Sequence, residues 1–138
     1  QFKNMFEFYS ALAKVIEIKQ YLGIKLARLY KDGNREGLKY ERDNTLPLLY
    51  ERMCELRRLH RRHFFDEYKA IGWEILDIRY GGAIMRIDTA ISRIDDYLNG
   101  NILSIEEFEE ERLSFSGKDG DLVPDVQTYQ MLCSASRL

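Results

Sequence analysis

The residues best suited to chemistry lie at the predicted start of a helix, between Ile71 and Gly82. The only tryptophan of the chain, Trp73, follows a glycine there and is followed at once by Glu74. An indole offers a flat apolar face that can stack on a sugar or cover an interface, and a carboxylate in a first helical turn complements the helix dipole. Trp73 and Glu74 are therefore candidates for the wall of a substrate site. The simpler interpretation is a core anchor beside a helix-end charge.

Four polar residues further along the same helix are candidates for an interface: Asp77, Arg79, Tyr80 and Arg86. Arg79, Arg86 and Arg93 recur at intervals of seven and share one helical face. Such a stripe is typical of a solvated face or of a partner interface. It could also hold an anion in a small helical enzyme, but no second helix supplies a matching basic set.

Two other clusters invite a catalytic or metal interpretation. His60, His63 and Glu67 lie at i, i+3 and i+7, but they are only three ligands from one helix and lack the glutamate of a zinc-protease helix. The adjacent pair Asp66 and Glu67 points about 100° apart on a helix and forms no acid–base pair. We expect no catalytic residue, no metal and no cofactor in this chain.

The composition limits the possible classes of protein. The chain has 138 residues, of which 45% are hydrophobic and 32% charged, which excludes a disordered or collagen-like chain. A net charge of −2 provides no positive potential that would attract the phosphates of a nucleic acid. No apolar run approaches the roughly 20 residues of a membrane span. Cys54 and Cys133 form no disulfide framework, and we expect both to be buried. Because the chain begins with Gln1 and is helical almost at once, we interpret it as a fragment of a longer protein.

Three long helices must position the candidate residues. Apolar residues recur every three or four positions, and the predicted helices are Lys3–Lys31, Arg35–Tyr68 and Trp73–Leu98. In the first helix the inward residue of some neighbouring pairs stays open: Phe8 or Tyr9, Val15 or Ile16, and Ile18 or Lys19. Asn34 is expected to cap the second helix, and Pro47 to break or kink it near Asn44–Pro47.

A capping box formed by Ser104 and Glu107 starts a predicted short acidic helix, Ile105–Leu113. The fold class is therefore all-α: one domain, 1–138, with an antiparallel bundle of three long helices and the short helix over 1–116. An irregular or extended tail follows over 117–138.

The sequence resembles the C-terminal helical domain of bacterial glycoside hydrolase family 20 enzymes, over about Val15 to Leu113. The blocks that carry the resemblance are Leu22-Gly-Ile-Lys-Leu-Ala-Arg-Leu-Tyr-Lys-Asp-Gly33, Leu46-Pro47, His60-Arg61, Gly72-Trp-Glu-Ile-Leu-Asp-Ile-Arg-Tyr-Gly-Gly82, Arg86 and Tyr97-Leu-Asn-Gly100.

The resemblance implies an exo-acting β-N-acetylhexosaminidase whose catalytic barrel lies elsewhere in the same polypeptide. Hydrolysis would be substrate-assisted, with the catalytic Asp-Glu pair on the barrel, so this fragment alone should be inactive. The helical domain would serve dimerisation and would lie near the mouth of the partner's barrel. There the turn at Trp73 and Glu74 would either form part of the wall of the active site or support a loop that forms this wall.

The expected partners are therefore the barrel, a second copy in a homodimer and, through the full enzyme, an N-acetyl-hexosaminide. We expect neither nucleic acid nor a membrane as a partner, and a bacterial cytoplasmic location. The alternative is a free-standing helical module for protein interaction or dimerisation.

Overall fold

The computed structural model describes residues 2–110, and every regular element in that range is helical. The predicted all-α class is therefore confirmed. The helices are α1 (Lys3–Lys31), α2 (Arg35–Tyr40), a π-helical segment (Glu41–Thr45), α3 (Leu46–Glu67), α4 (Trp73–Asn99) and α5 (Glu106–Glu109). The predicted tail, 117–138, and Cys133 lie outside the described residues.

Helix α3 packs against both α1 and α4. Arg52 pairs with Glu17 at 2.9 Å and Arg62 pairs with Glu7, so α1 and α3 run antiparallel. The buried apolar side chains of the three helices, apart from Trp73, form one continuous core with Leu38 and Ile105. Burying apolar surface along these stripes is the main source of stability for helices of this kind.

The packing decides between neighbouring apolar residues that the sequence left open in α1. Phe8, Val15 and Ile18 face the core, whereas Tyr9 and Ile16 are 55% and 49% exposed. Because adjacent residues on a helix point about 100° apart, only one member of each pair can face α3.

The predicted break at Asn44–Pro47 takes the form of a π-helical segment that runs directly into α3. Its last bond is donated by the Leu46 N–H to the Glu41 carbonyl, five residues back. The wider turn accommodates Pro47, which has no N–H and whose ring would crowd the carbonyl four residues earlier in an α-helix. Glu41 itself is buried, and its carboxylate lies 2.6 Å from Lys25 Nζ.

The helix ends bear out some of the predicted caps. The Gly37 N–H donates to Asn34 Oδ1 at 2.8 Å, as expected for an N-cap. Gly33 and Gly100 have φ of +65° and +78°, which suits the left-handed position after a helix.

Three predictions were wrong. The N-cap of α5 is Ile105 without a side-chain cap, because the Glu107 carboxylate accepts from Arg93 at 3.2 Å instead of closing a capping box. Helix α5 ends at Glu109, because the backbone of Glu110 is extended. Cys54 is exposed, because it falls beside the core stripe of α3 and not in it.

Candidate functional site

A tight turn joins α3 to α4 and presents the candidate carboxylate. Gly72 has φ of +100°, a conformation that side-chain-bearing residues rarely adopt. The Gly72 N–H donates to Glu74 Oε2 at 2.9 Å, so Glu74 closes the turn from the first turn of α4. Glu74 is exposed, and Oε1 has no hydrogen-bond partner among residues 2–110.

Trp73 lies beneath this turn and is only 5% exposed. Its ring contacts the rings of Phe64 and Phe65 on α3 at centroid distances of 5.3 and 5.8 Å. The Trp73 Nε1 is buried without an acceptor in the described part of the chain. Trp73 thus anchors the start of α4 to the end of α3, and its face is covered by these neighbours.

A histidine on α3 bonds to α4 about two turns beyond the anchor. His60 Nδ1 lies 2.8 Å from the Tyr80 hydroxyl, and the His60 ring stacks on Phe8 of α1 at 4.3 Å. Burial, with a smaller contribution from the charge of His63, lowers the pKa of His60 below its ordinary value. Burial also raises the pKa of Tyr80 to about 12 because the charged form loses its water.

The four interface candidates divide into two groups. Asp77 accepts from both Nε and Nη2 of Arg57 at 3.0 and 2.7 Å, and Tyr80 bonds to His60, so both are used within the domain. Arg79 and Arg86 are exposed, and neither takes part in an ion pair within residues 2–110. Arg79 and Arg86 as interface residues therefore stay a prediction.

The surface beside the two arginines is apolar. Ile75, Ile78 and Met85 are between 42% and 65% exposed, and their spacing of three and seven residues places them on one side of α4. Ile71 is 85% exposed in the turn that precedes α4. We call Ile71, Ile75, Ile78, Met85, Arg79 and Arg86 the α4 face. A methyl group added at Gly81, beside it, would meet nothing within 4 Å among residues 2–110.

Comparison with known families gives the identity of the domain. The family model described as Glycoside Hydrolase 20C C-terminal domain matches residues 1–125. The chain belongs to this family. No match was found among curated proteins. The resemblance drawn from the sequence blocks is thereby confirmed.

The family 20 domain contains no group of candidate metal ligands within residues 2–110. No three His, Cys, Asp or Glu side chains converge there as metal ligands. His60 is instead held by aromatic rings, and Asp66 accepts from Asn4 of α1. In the same range, no helix combines the length and the apolar character needed to cross a bilayer.

Two features of the family 20 domain escaped the sequence analysis. The link from His60 to Tyr80 joins residues on different helices, so no local pattern reveals it. The sequence analysis named only the arginines of the α4 face. The spacing of Ile71, Ile75 and Ile78 already indicated a second apolar surface there.

Proposed function

We propose that this domain is the accessory C-terminal domain of an exo-acting β-N-acetylhexosaminidase, in which it supports the mouth of the active site and contributes to a homodimer. A catalytic barrel in the same polypeptide would remove terminal N-acetyl-hexosamine residues. The observation that carries this proposal is the closed turn at Gly72, which holds an exposed carboxylate in a fixed position above a buried indole.

Hydrolysis itself belongs to the barrel in this proposal. Asp66 and Glu67 are exposed at the end of α3, and Asp66 is bonded to Asn4. A substrate-assisted hydrolase needs a carboxylic acid to protonate the leaving oxygen and a carboxylate to orient the acetamide of the substrate. Neither role suits this solvated pair, so we expect the isolated domain to be inactive.

In this proposal, the turn at Gly72 holds a carboxylate in a fixed position at the mouth of the active site. The buried Trp73 fixes the orientation of the first turn of α4, and Glu74 then presents Oε1 outward while Oε2 holds the backbone. A carboxylate oxygen of this kind can accept a hydrogen bond from a sugar hydroxyl. The support of the turn by Trp73 makes the geometry rigid, which site residues require.

The α4 face supports the proposal of a homodimer. It combines exposed isoleucines with two arginines that have no ion-pair partner in the described residues. An antiparallel pairing of two α4 helices centred between Gly82 and Ala83 would place Arg79 of one copy near Arg86 of the other, and like charges there would repel. We therefore assign this face to the catalytic domain of the second subunit, next to the mouth that the turn at Gly72 would reach.

The test uses the polypeptide that carries this domain together with the upstream coding region. A barrel needs roughly 250 residues, and the strand end of its site should read Gly-Gly-Asp-Glu. The whole protein should release the chromophore from an aryl β-N-acetylglucosaminide, and residues 1–138 alone should not. A reading frame that begins near Gln1, or an inactive whole protein, would favour the free-standing interaction module. Fractionation of the source cells would test the proposed cytoplasmic location.

A further inference from the structure

The two histidines of the chain stack on a single ring of α1. His60 and His63 lie three residues apart on the same side of α3. Their imidazoles face the Phe8 ring at centroid distances of 4.3 and 5.8 Å, with angles of 20° and 23° between the ring planes. We call Phe8, His60 and His63 the Phe8 cluster. It joins α1 to α3 through two groups that can titrate near neutral pH.

The Phe8 cluster holds a part of α1 that has little other packing. The first buried side chain of α1 is Ala11, so none lies in the first two turns, Lys3–Ser10. Among the apolar residues of these two turns, only Phe8 packs against the core. Two polar contacts with α3 accompany it, one made by Glu7 and one by Asn4. A segment with so few buried contacts opens at a lower free energy than the rest of a fold.

Protonation of His60 removes an acceptor that the Tyr80 hydroxyl can use. The His60 Nδ1 lies 2.8 Å from this hydroxyl, and a neutral ring can accept its hydrogen there. A protonated imidazole only donates, and the Tyr80 hydroxyl has no other hydrogen-bond partner among residues 2–110. Burial, with a smaller contribution from the charge of His63, lowers the pKa of His60. The packed arrangement therefore favours the neutral ring.

Protonation of both histidines would place two like charges against one ring. The face of Phe8 attracts a cation, but a single ring is shared here by two imidazoles. Like charges three or four residues apart on a helix repel each other. The second proton therefore opposes the packing of Phe8 more strongly than the first.

The carboxylates on the three helices around the Phe8 cluster do not neutralise these charges. Glu7 of α1 pairs with an arginine of α3, and Asp77 of α4 pairs with Arg57. Asp66 and Glu67, at the end of α3, are exposed, so water and salt screen them. Within the described part of the chain, neither imidazole forms an ion pair with a carboxylate.

We infer that the Phe8 cluster is an acid-sensitive switch that releases the first two turns of α1 from α3 below about pH 6. The rest of the bundle stays packed, because the continuous core begins at Ala11 and consists of apolar side chains. This inference goes beyond the proposed function, since it requires neither a barrel nor a substrate.

The test is hydrogen–deuterium exchange of the full-length protein at pH 7.5 and 5.5, with labelling times scaled to the intrinsic exchange rate at each pH. Protection of the amides of residues 6–12 should fall about tenfold at the lower pH, because a histidine of ordinary pKa is about tenfold more often charged than neutral there. Residues 22–29, further along α1, should keep their protection. Unchanged protection of residues 6–12, or an equal loss in both parts of α1, would overturn the inference.

Two sets of variants assign the effect to the histidines. His60→Gln with His63→Gln removes both titratable groups and should abolish the dependence on pH. Asp66→Asn is the matched control, because it removes a nearby carboxylate but keeps an oxygen that can accept from Asn4, and it should leave the tenfold fall intact. If the double variant does not fold, His63→Gln alone serves, since His63 makes no hydrogen bond in residues 2–110, and its fall should be smaller than that of wild type.

A fall that persists in the double variant, that is undiminished in His63→Gln or that disappears in Asp66→Asn would overturn the inference. The measurement needs no substrate, so such a result rejects the switch and leaves the proposed function standing.

Discussion

His60 Nδ1 and the Tyr80 hydroxyl lie 2.8 Å apart and join α3 to α4 about two turns beyond the buried Trp73. Because Phe8 of α1 stacks on the other side of the same imidazole, this one side chain contacts all three long helices. The turn at Gly72 is thus held by a junction that includes a group able to titrate near neutral pH.

This junction should make stability depend on pH. The pKa of His60 is lower in the folded chain than its ordinary value of 6.5, mainly because of burial. The unfolded chain therefore binds the proton more readily, so stability is full above about pH 6.5 and is lost as the pH falls through that value. Urea midpoints of the full-length enzyme at pH 7.5 and 5.5 should differ less in His60→Gln than in wild type. An equal difference would contradict the role of His60.

Removal of the indole should destabilise the domain strongly. Trp73→Ala leaves a cavity in the aromatic cluster with Phe64 and Phe65, and we expect a loss of about 3–5 kcal/mol. Trp73→Phe keeps a ring in the cluster and should cost less. The measurement is chemical denaturation of both variants. Similar midpoints for Trp73→Ala and wild type would show that the ring is not an anchor.

The same pair of variants tests the proposed support of the active site. In full-length enzyme assayed well below its melting temperature, Trp73→Ala should lower kcat/KM on a chitobiose-type substrate by more than its unfolded fraction explains. Trp73→Phe is the control that retains the turn. Unchanged kinetics in folded Trp73→Ala enzyme would reject the role of the turn at the site.

Glu74 should contribute separately to the stability of the turn and to kcat/KM. Glu74→Gln can still accept the Gly72 N–H but has no charge, whereas Glu74→Ala loses both. We expect Glu74→Gln to change the melting temperature little and to lower kcat/KM about tenfold, which corresponds to ~1.4 kcal/mol. Glu74→Ala should lower both quantities. A fully active Glu74→Gln enzyme would rule out contact between the carboxylate and the sugar.

The α4 face should control subunit association. Reversal of both available charges, Arg79→Glu with Arg86→Glu, should weaken the dimer of the full-length enzyme at least tenfold by light scattering across a dilution series. Lys19→Glu with Lys31→Glu makes the same change in net charge on exposed residues of α1 and should leave the dimer intact. Equal dissociation of both variants would indicate a general charge effect and not a specific interface.

Gly81 offers an independent probe of the same face. A methyl group there meets nothing within 4 Å in the described part of the chain, so Gly81→Ala should stabilise α4 by about 0.5–1 kcal/mol. If the second subunit approaches closely, the same change should weaken the dimer. If Gly81→Ala raises the stability of the domain and leaves the affinity of the dimer unchanged, the subunit contact does not involve this face.

The sequence was most informative where one apolar stripe dominated. In α4, Ile84 and Ile94 lie on the same apolar stripe of the predicted helix, and both are buried, because periodicity alone identifies a single face. It was least informative in α1, where the pattern did not decide which of the neighbours Val15 and Ile16 faces the core.

Other features depend on packing between distant segments. The bond from Arg93 to Glu107 replaces a local cap that the sequence pattern favoured, because a charged partner on α4 competes successfully for the same carboxylate. The role of His60 depends on its contacts with two other helices, and a local sequence pattern does not reveal such contacts. For the candidate site, the residue types at Gly72 and Glu74 were readable, and the burial of Trp73 agrees with the simpler of its two interpretations, a core anchor.

The π-helical segment has a consequence for any alignment or redesign of this chain. Its wider turn accommodates one extra residue, so that Leu49, Met53 and Leu56 still point into the core. Deleting a single position between Glu41 and Thr45 would leave an ordinary α-helical turn there and would press the Pro47 ring against the carbonyl four positions earlier. Tolerance of such a deletion should therefore require the simultaneous replacement of Pro47.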